Sequence, residues 1–189
     1  MSDEAQLSPH LDGLPILRSE EDMEAIQKRM SSLVGEVARE SATLENHLRQ
    51  LMICLLDSKY AAVVAAGLGA SELIDMCTAL VKINREVTDT QRAECRANLA
   101  TLKPLFAKRN QLVHGQWLPE HVLETEPLPD RALALVSKRR MAPTHVDISF
   151  EEAEELAYDL NRAGSEIFAW ICRSLLTQLR AEQVTDAFP

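Results

Sequence analysis

Residues 20–57 read EEDMEAIQKRMSSLVGEVARESATLENHLRQLMICLLD. Apolar side chains recur there at Met23, Ile26, Met30, Leu33, Val37, Leu44, Leu48, Leu51 and Leu55. The steps are three and four, interrupted only around Glu40 and Ser41, which is the spacing of one apolar stripe along an α-helix. A helix over about Glu20 to Asp57 is too long for a small globular packing unit. It calls for a bundle or a coiled pair to cover the stripe. Ser19 is placed to cap its start, and Glu20, Glu21 and Asp22 suit the positive end of the helix dipole. Asp22 stands where a full capping box has Glu or Gln. Residues 1–18, with Pro9 and Pro15, read as a polar N-terminal arm.

The rest of the chain repeats the helical pattern with one exception. Ala61 to Ala66 is a short apolar helix closed by Gly67 and Gly69. Ser71 is a candidate cap for a helix over 72–83, with Leu73, Met76, Cys77 and Leu80 inward. Thr88 and Gln91 form a capping box for a helix over 89–114, whose stripe runs Cys95, Leu99, Leu102, Phe106, Arg109, Val113. Pro104 is expected to kink or split that helix, and Gly115 stands just past its end. Residues 116–149 differ: they hold Pro119, Pro127, Pro129 and Pro143, and the stretches 132–138 and 144–150 alternate as a small β-hairpin would. Ser149 and Glu152 form a further capping box for a last helix over 151–182, with Leu156, Leu160, Ile167, Ile171 and Leu175 inward and Trp170 beside them. Gly164 marks either a weak point or a close helix contact there. The expected architecture is all-α: a four- to five-helix bundle in a single domain, 19–184. A β-hairpin excursion over 116–149 precedes the last helix, and residues 185–189 form a frayed C-terminus.

Composition agrees. With 46% hydrophobic and only 4% aromatic residues, the core must be built from Leu, Ala, Val, Ile and Met, which suits helices. A net charge of -9 argues against a broad electrostatic grip on DNA and leaves room for one local basic groove. Cys54, Cys77, Cys95 and Cys172 have no Cys-x-x-Cys or zinc-like spacing and read as reduced thiols. No His-x-x-x-His or Glu-x-x-His set supports a metal, no glycine-rich loop cradles a phosphate, and no cofactor is expected. The start of the chain lacks the pattern of a signal peptide, and no apolar run is long enough for a bilayer. A cytoplasmic protein without membrane contact is the expectation.

The chemistry concentrates at Arg109-Asn110-Gln111-Leu112-Val113-His114. Arg109 occupies a place where the stripe calls for Leu, so it must be paired, reach the surface, or line a cleft. Arg109 and His114 lie about 140° apart around a helix, at an end where a protonated imidazole is favoured. Two cationic groups and an amide at one rim suit a phosphate. Cleavage of RNA needs a group that moves protons and a group that holds the phosphoryl oxygens, roles open to His114 and Arg109. A purely structural reading stands beside this one: Arg109 paired with Glu40, His114 a mere helix-end residue, Asn110 satisfying nearby backbone.

In these residues the chain resembles the HEPN superfamily, helical-bundle domains marked by Arg, an adjacent polar residue, and His after four to six intervening positions. The resemblance covers about residues 20–182 and is sharp only at Arg109, Asn110 and His114. It implies a metal-independent endoribonuclease of a toxin–antitoxin or defence system, with a homodimer bringing two motifs into one cleft. His114 would then be the catalytic acid or base, Arg109 would hold the scissile phosphate, and Asn110 would position substrate or orient His114. An RNA substrate and an antitoxin or other regulatory protein are the implied partners. Lys138, Arg139 and Arg140 are candidate RNA-backbone contacts, and Trp117 a candidate base-stacking residue. Glu40, Glu45 and His47 are candidates for supporting the cleft. Two other readings are kept: a non-catalytic HEPN-like module binding protein or nucleotide, and a structural helical dimerisation protein.

Overall fold

The computed structural model describes residues 19–118, 131–136 and 144–176. The chain forms a multi-helix bundle with a small β-sheet inserted before the last long helix, a shape consistent with HEPN-like folds. The helices are α1 (Glu20–Leu56), α2 (Ala61–Ala66), α3 (Ala70–Ile83), α4 (Asp89–His114) and α5 (Phe150–Ile171). A π-helical turn, Cys172–Leu176, continues α5.

α1 is the spine. Its stripe from Ile26 through Leu55 is buried, with Val37, Leu44, Leu48, Leu51 and Met52 sealed from solvent. α5 and α3 pack along α1, and α4 packs against α3 and α5. The start of α1 is tied to the start of α5: Arg29 sits 4.5 Å over the Phe150 ring and donates to Glu154 at 3.2 Å. Gly164 lies at a close approach of α1 and α5. A Cβ there would meet His47 Nδ1 at 3.4 Å and Leu44 Cα at 3.7 Å, so the close-contact reading of this glycine is correct. Trp170, fully buried, donates from Nε1 to the Gln91 carbonyl at 3.0 Å. That bond satisfies the indole N–H in the core and pins α5 to the first turn of α4.

The caps follow sequence chemistry at three of the four long helices. Ser19 accepts from the Asp22 N–H. Thr88–Gln91 and Ser149–Glu152 close reciprocal boxes. The cap of α3 is a correction: it is Gly69, not Ser71. The Glu72 carboxylate accepts from the Gly69 N–H at 3.0 Å, so the helix starts a turn-fraction earlier and Ser71 falls within its first turn. The loop between α3 and α4 is held by Arg92, whose guanidinium donates to the carbonyls of Val81, Asn84 and Val87.

Pro104 neither splits nor ends α4, which runs unbroken from Asp89 to His114. The carbonyl deprived of its donor belongs to Ala100, an exposed residue that water can reach. Buried Leu99, Leu102 and Phe106 anchor the helix on both sides of the proline.

The excursion is a three-stranded antiparallel sheet in the order β1 (Gln116–Leu118), β2 (Arg131–Val136), β3 (Thr144–Ser149). β2 and β3 form the expected hairpin, with Ala132 opposite Ile148 and Val136 opposite Thr144. β1 adds a strand that the sequence pattern did not reveal, since three residues are too few to show alternation. Gly115 takes an extended conformation (φ -73, ψ 145), which leads the chain from α4 directly into β1. The sheet therefore bridges the end of α4 and the start of α5. No helix among the described residues is long and apolar enough to cross a membrane.

Candidate functional site

The gap in the α1 stripe and the end of α4 meet. Arg109, half-buried, sends Nε to Ser41 Oγ at 3.0 Å and one terminal nitrogen to Asn110 Oδ1 at 2.9 Å. Ser41 is sealed from solvent, and its hydroxyl also donates to the Ala38 carbonyl at 2.9 Å. Donating backward along the helix turns the hydroxyl oxygen's lone pairs toward Arg109. The polar break in the stripe is thus the seat of the arginine that breaks the stripe on α4. Two departures from apolar periodicity, 68 positions apart in sequence, explain each other.

Glu40 does not pair with Arg109. One of its oxygens accepts from Arg39 at 2.8 and 3.0 Å and the other from Asn161 Nδ2 at 2.8 Å. The Asn161 hydrogen bond first, then those from Arg39, hold the carboxyl below the usual Glu range despite burial. This network joins α1 to α5, beside the Arg109–Ser41 contact and separate from it. The pairing fails for a simple geometric reason. Neighbouring helix positions point about 100° apart, so Ser41 facing α4 leaves Glu40 toward α5.

His47 is directed to α5 as well. Its Nδ1 lies 3.0 Å from the Gly164 carbonyl, and its ring stacks on Phe168 at 5.1 Å. A Cβ at Gly164 would lie 3.4 Å from Nδ1, so the ring approaches α5 closely at this position. Glu45 is placed differently. It lines an open depression of about 450 Å³ together with Gly69, Ser71, Lys103, Arg109 and Asn110. Its carboxylate is bridged to Arg49 at 3.2 Å. Arg109, Asn110 and Glu45 therefore share one concavity, while Glu40 and His47 support the helix interface behind it.

His114 is the final residue of α4 and is exposed. Trp117 follows in β1, opposite Ala134. Lys138, Arg139 and Arg140 lie outside the described residues. Ser41 and Lys103 are site residues that sequence reading passed over. Ser41 had a signal, since a small polar residue at a stripe position facing a misplaced arginine is its natural acceptor. Lys103 had none, because helix adjacency alone brings it to the depression.

No group of three or more His, Cys, Asp or Glu side chains gathers as a metal cage among the described residues. None of the four cysteines is in a disulfide, and Cys77 and Cys95 are buried and pushed by burial up to about 12, far from a reactive thiolate. In comparison with known proteins, no family model, no curated protein and no solved structure matches the chain.

Proposed function

We propose that this protein is a metal-independent endoribonuclease working at Arg109, Asn110 and His114, in a cleft completed by a second copy of the chain. The observation that supports this reading is the seating of Arg109. A buried hydroxyl holds its Nε and Asn110 holds one terminal nitrogen, while the residue lines an open depression rather than a sealed core. An arginine needed only for structure would be expected to end on a carboxylate. Here Glu40 is engaged by Arg39 and Asn161 and Glu45 by Arg49. Among the described residues no carboxylate bridges the guanidinium at this surface concavity, which favours the binding of a phosphate.

The chemistry assigned to the site is intramolecular transesterification. A base removes the proton from the 2′-hydroxyl, and the 2′-oxygen attacks phosphorus. The P–O2′ bond forms as the P–O5′ bond breaks, and an acid protonates the leaving 5′-oxygen. The products are a 2′,3′-cyclic phosphate and a 5′-hydroxyl. His114 serves one proton transfer and its counterpart across the dimer serves the other. Arg109 stabilises the charge that grows on the phosphoryl oxygens. Asn110, locked to Arg109, limits the rotation of the guanidinium.

The test is cleavage of a mixed RNA pool in EDTA by wild type and His114→Ala. Cleavage that yields cyclic-phosphate ends and disappears in the variant is expected. Folded, dimeric wild type that leaves every RNA intact would move the assignment to a non-catalytic HEPN-like binding module.

A further inference from the structure

The stretch from Cys95 to Pro119 contains no Asp or Glu and four cations, Arg96, Lys103, Lys108 and Arg109, in a chain of net charge -9. Most of it is the second half of α4. Arg96, Lys103 and Asn110 are spaced by seven residues, which places them in one row along the helix. That row borders a groove between α3 and α4. The groove is made of two adjoining depressions of about 470 and 450 Å³ that share Ile74 and Lys103. It runs from Arg109 and Asn110 at one end to Arg96 at the other, a span of about 20 Å along the helix axis.

The two kinds of lining have different uses. Ile74, Ala97, Ala100 and Phe106 give the groove an apolar floor, and the small alanines leave it open. Arg96 is exposed and has no ion-pair or hydrogen-bond partner among the described residues. Lys103 is bridged to Asp75 at 2.6 Å, yet its side chain is 52% exposed. Glu45, the other acid of the groove, is neutralised by Arg49. The floor therefore accepts flat apolar faces and the rim accepts negative charge. A nucleic-acid duplex offers charge but keeps its bases stacked inside. An unpaired strand offers both.

We propose that the α3–α4 groove is the track for single-stranded RNA flanking the cleavage point, with phosphates on Arg96 and Lys103 and bases on the apolar floor. This rests on the nuclease reading for the choice of RNA. Asp75 acts as a competitor, holding Lys103 until a phosphate displaces it. The localised charge also reconciles nucleic-acid binding with an acidic protein, since a local basic groove can attract a strand despite a negative net charge.

The experiment uses the full chain and a fluorescent, mixed-sequence single-stranded 2′-O-methyl RNA, which has no free 2′-hydroxyl and is not cut. Anisotropy is measured against salt. Arg96→Ala and Lys103→Ala should each weaken binding and flatten the plot of log affinity against log salt by about 0.7. Asp75→Asn should tighten binding, an effect that mere loss of a structural ion pair does not produce. Lys82→Ala, an exposed position on α3 outside the groove lining, should match wild type. Unchanged affinity and slope in both groove variants overturns the track, as does failure of wild type to bind, or equal binding of a duplex of the same sequence. The two proposals separate cleanly. Binding through the groove without cleavage of ordinary RNA removes the nuclease reading and leaves the track. Cleavage at wild-type rate in an Arg96→Ala protein with unchanged binding removes the track and leaves the nuclease.

Discussion

Ser41→Ala isolates the contact on which the candidate site is built. The substitution removes one oxygen, adds no volume, and leaves Arg109 Nε–H without its acceptor at 3.0 Å. A hydrogen bond to a charged group contributes about 1.5–3 kcal/mol when both partners are shielded. Ser41 is fully buried but Arg109 only half so, so water regains part of that loss and the expected cost is about 1 kcal/mol. In a chain of this length that lowers the melting temperature by roughly 2–4 °C. The informative measurement is a double-mutant cycle with Arg109→Ala, by thermal or urea unfolding. If the two side chains act through each other, the double variant is about 1 kcal/mol more stable than the sum of the singles predicts. Additivity within about 0.3 kcal/mol would show that the hydroxyl does not hold the arginine, and the argument for a pre-set guanidinium would fall. A second arm follows RNA cleavage. Loss of orientation without loss of the cation should slow turnover about tenfold, equivalent to roughly 1.4 kcal/mol, whereas His114→Ala should abolish it.

Two further predictions concern the frame behind the site. Glu40→Gln should destabilise the protein by about 1–2 kcal/mol at neutral pH, because Asn161 and Arg39 lose a charged acceptor. Since the folded carboxyl is held low, its contribution is present above the unfolded value of about 4.3 and is lost as pH falls through the lower folded value. The deficit of the variant should accordingly shrink in acid, and a deficit independent of pH in stability curves would contradict the charged network. Gly164→Ala should stabilise α5 by about 0.5–1 kcal/mol, since the new methyl would meet its neighbours at ordinary contact distances. Gly164→Leu should cost about 1–3 kcal/mol by forcing α5 away from the backbone at Leu44. Equal melting temperatures for the Ala and Leu variants would mean that the α1–α5 spacing is not set there.

The site was legible in part, and the split follows a physical line. Arg109, Asn110 and His114 stood out because they break an apolar period at a helix end, a local signal. The break at Glu40 and Ser41 was visible too, but its meaning was not. Charge complementarity favoured Glu40 as the partner of Arg109, and a turn of about 100° per residue sent Glu40 to α5 and Ser41 to α4. Which of two neighbours faces which helix depends on the rotation of α1 about its axis, a tertiary quantity. The same holds for His47, which any sequence argument leaves with a choice of cleft or core. Its course was decided by the α5 groups it meets, the Gly164 carbonyl and the Phe168 ring.

What the sequence determined by itself was whatever rests on contacts between residues a few positions apart. Stripe periodicity placed the helices, reciprocal caps at Thr88 and Ser149 marked where two of them begin, and proline-rich alternation marked the hairpin before α5. These signals are strong because each is repeated or reciprocated within a few turns of chain. Tertiary structure decided the rest: that Pro104 is absorbed by a helix anchored on both sides, that β1 joins the hairpin as a third strand, that Ser41 seats Arg109, and that α3 and α4 leave a cation-rimmed groove between them. Each of these depends on which surfaces meet, and that is set by the burial of all the stripes at once.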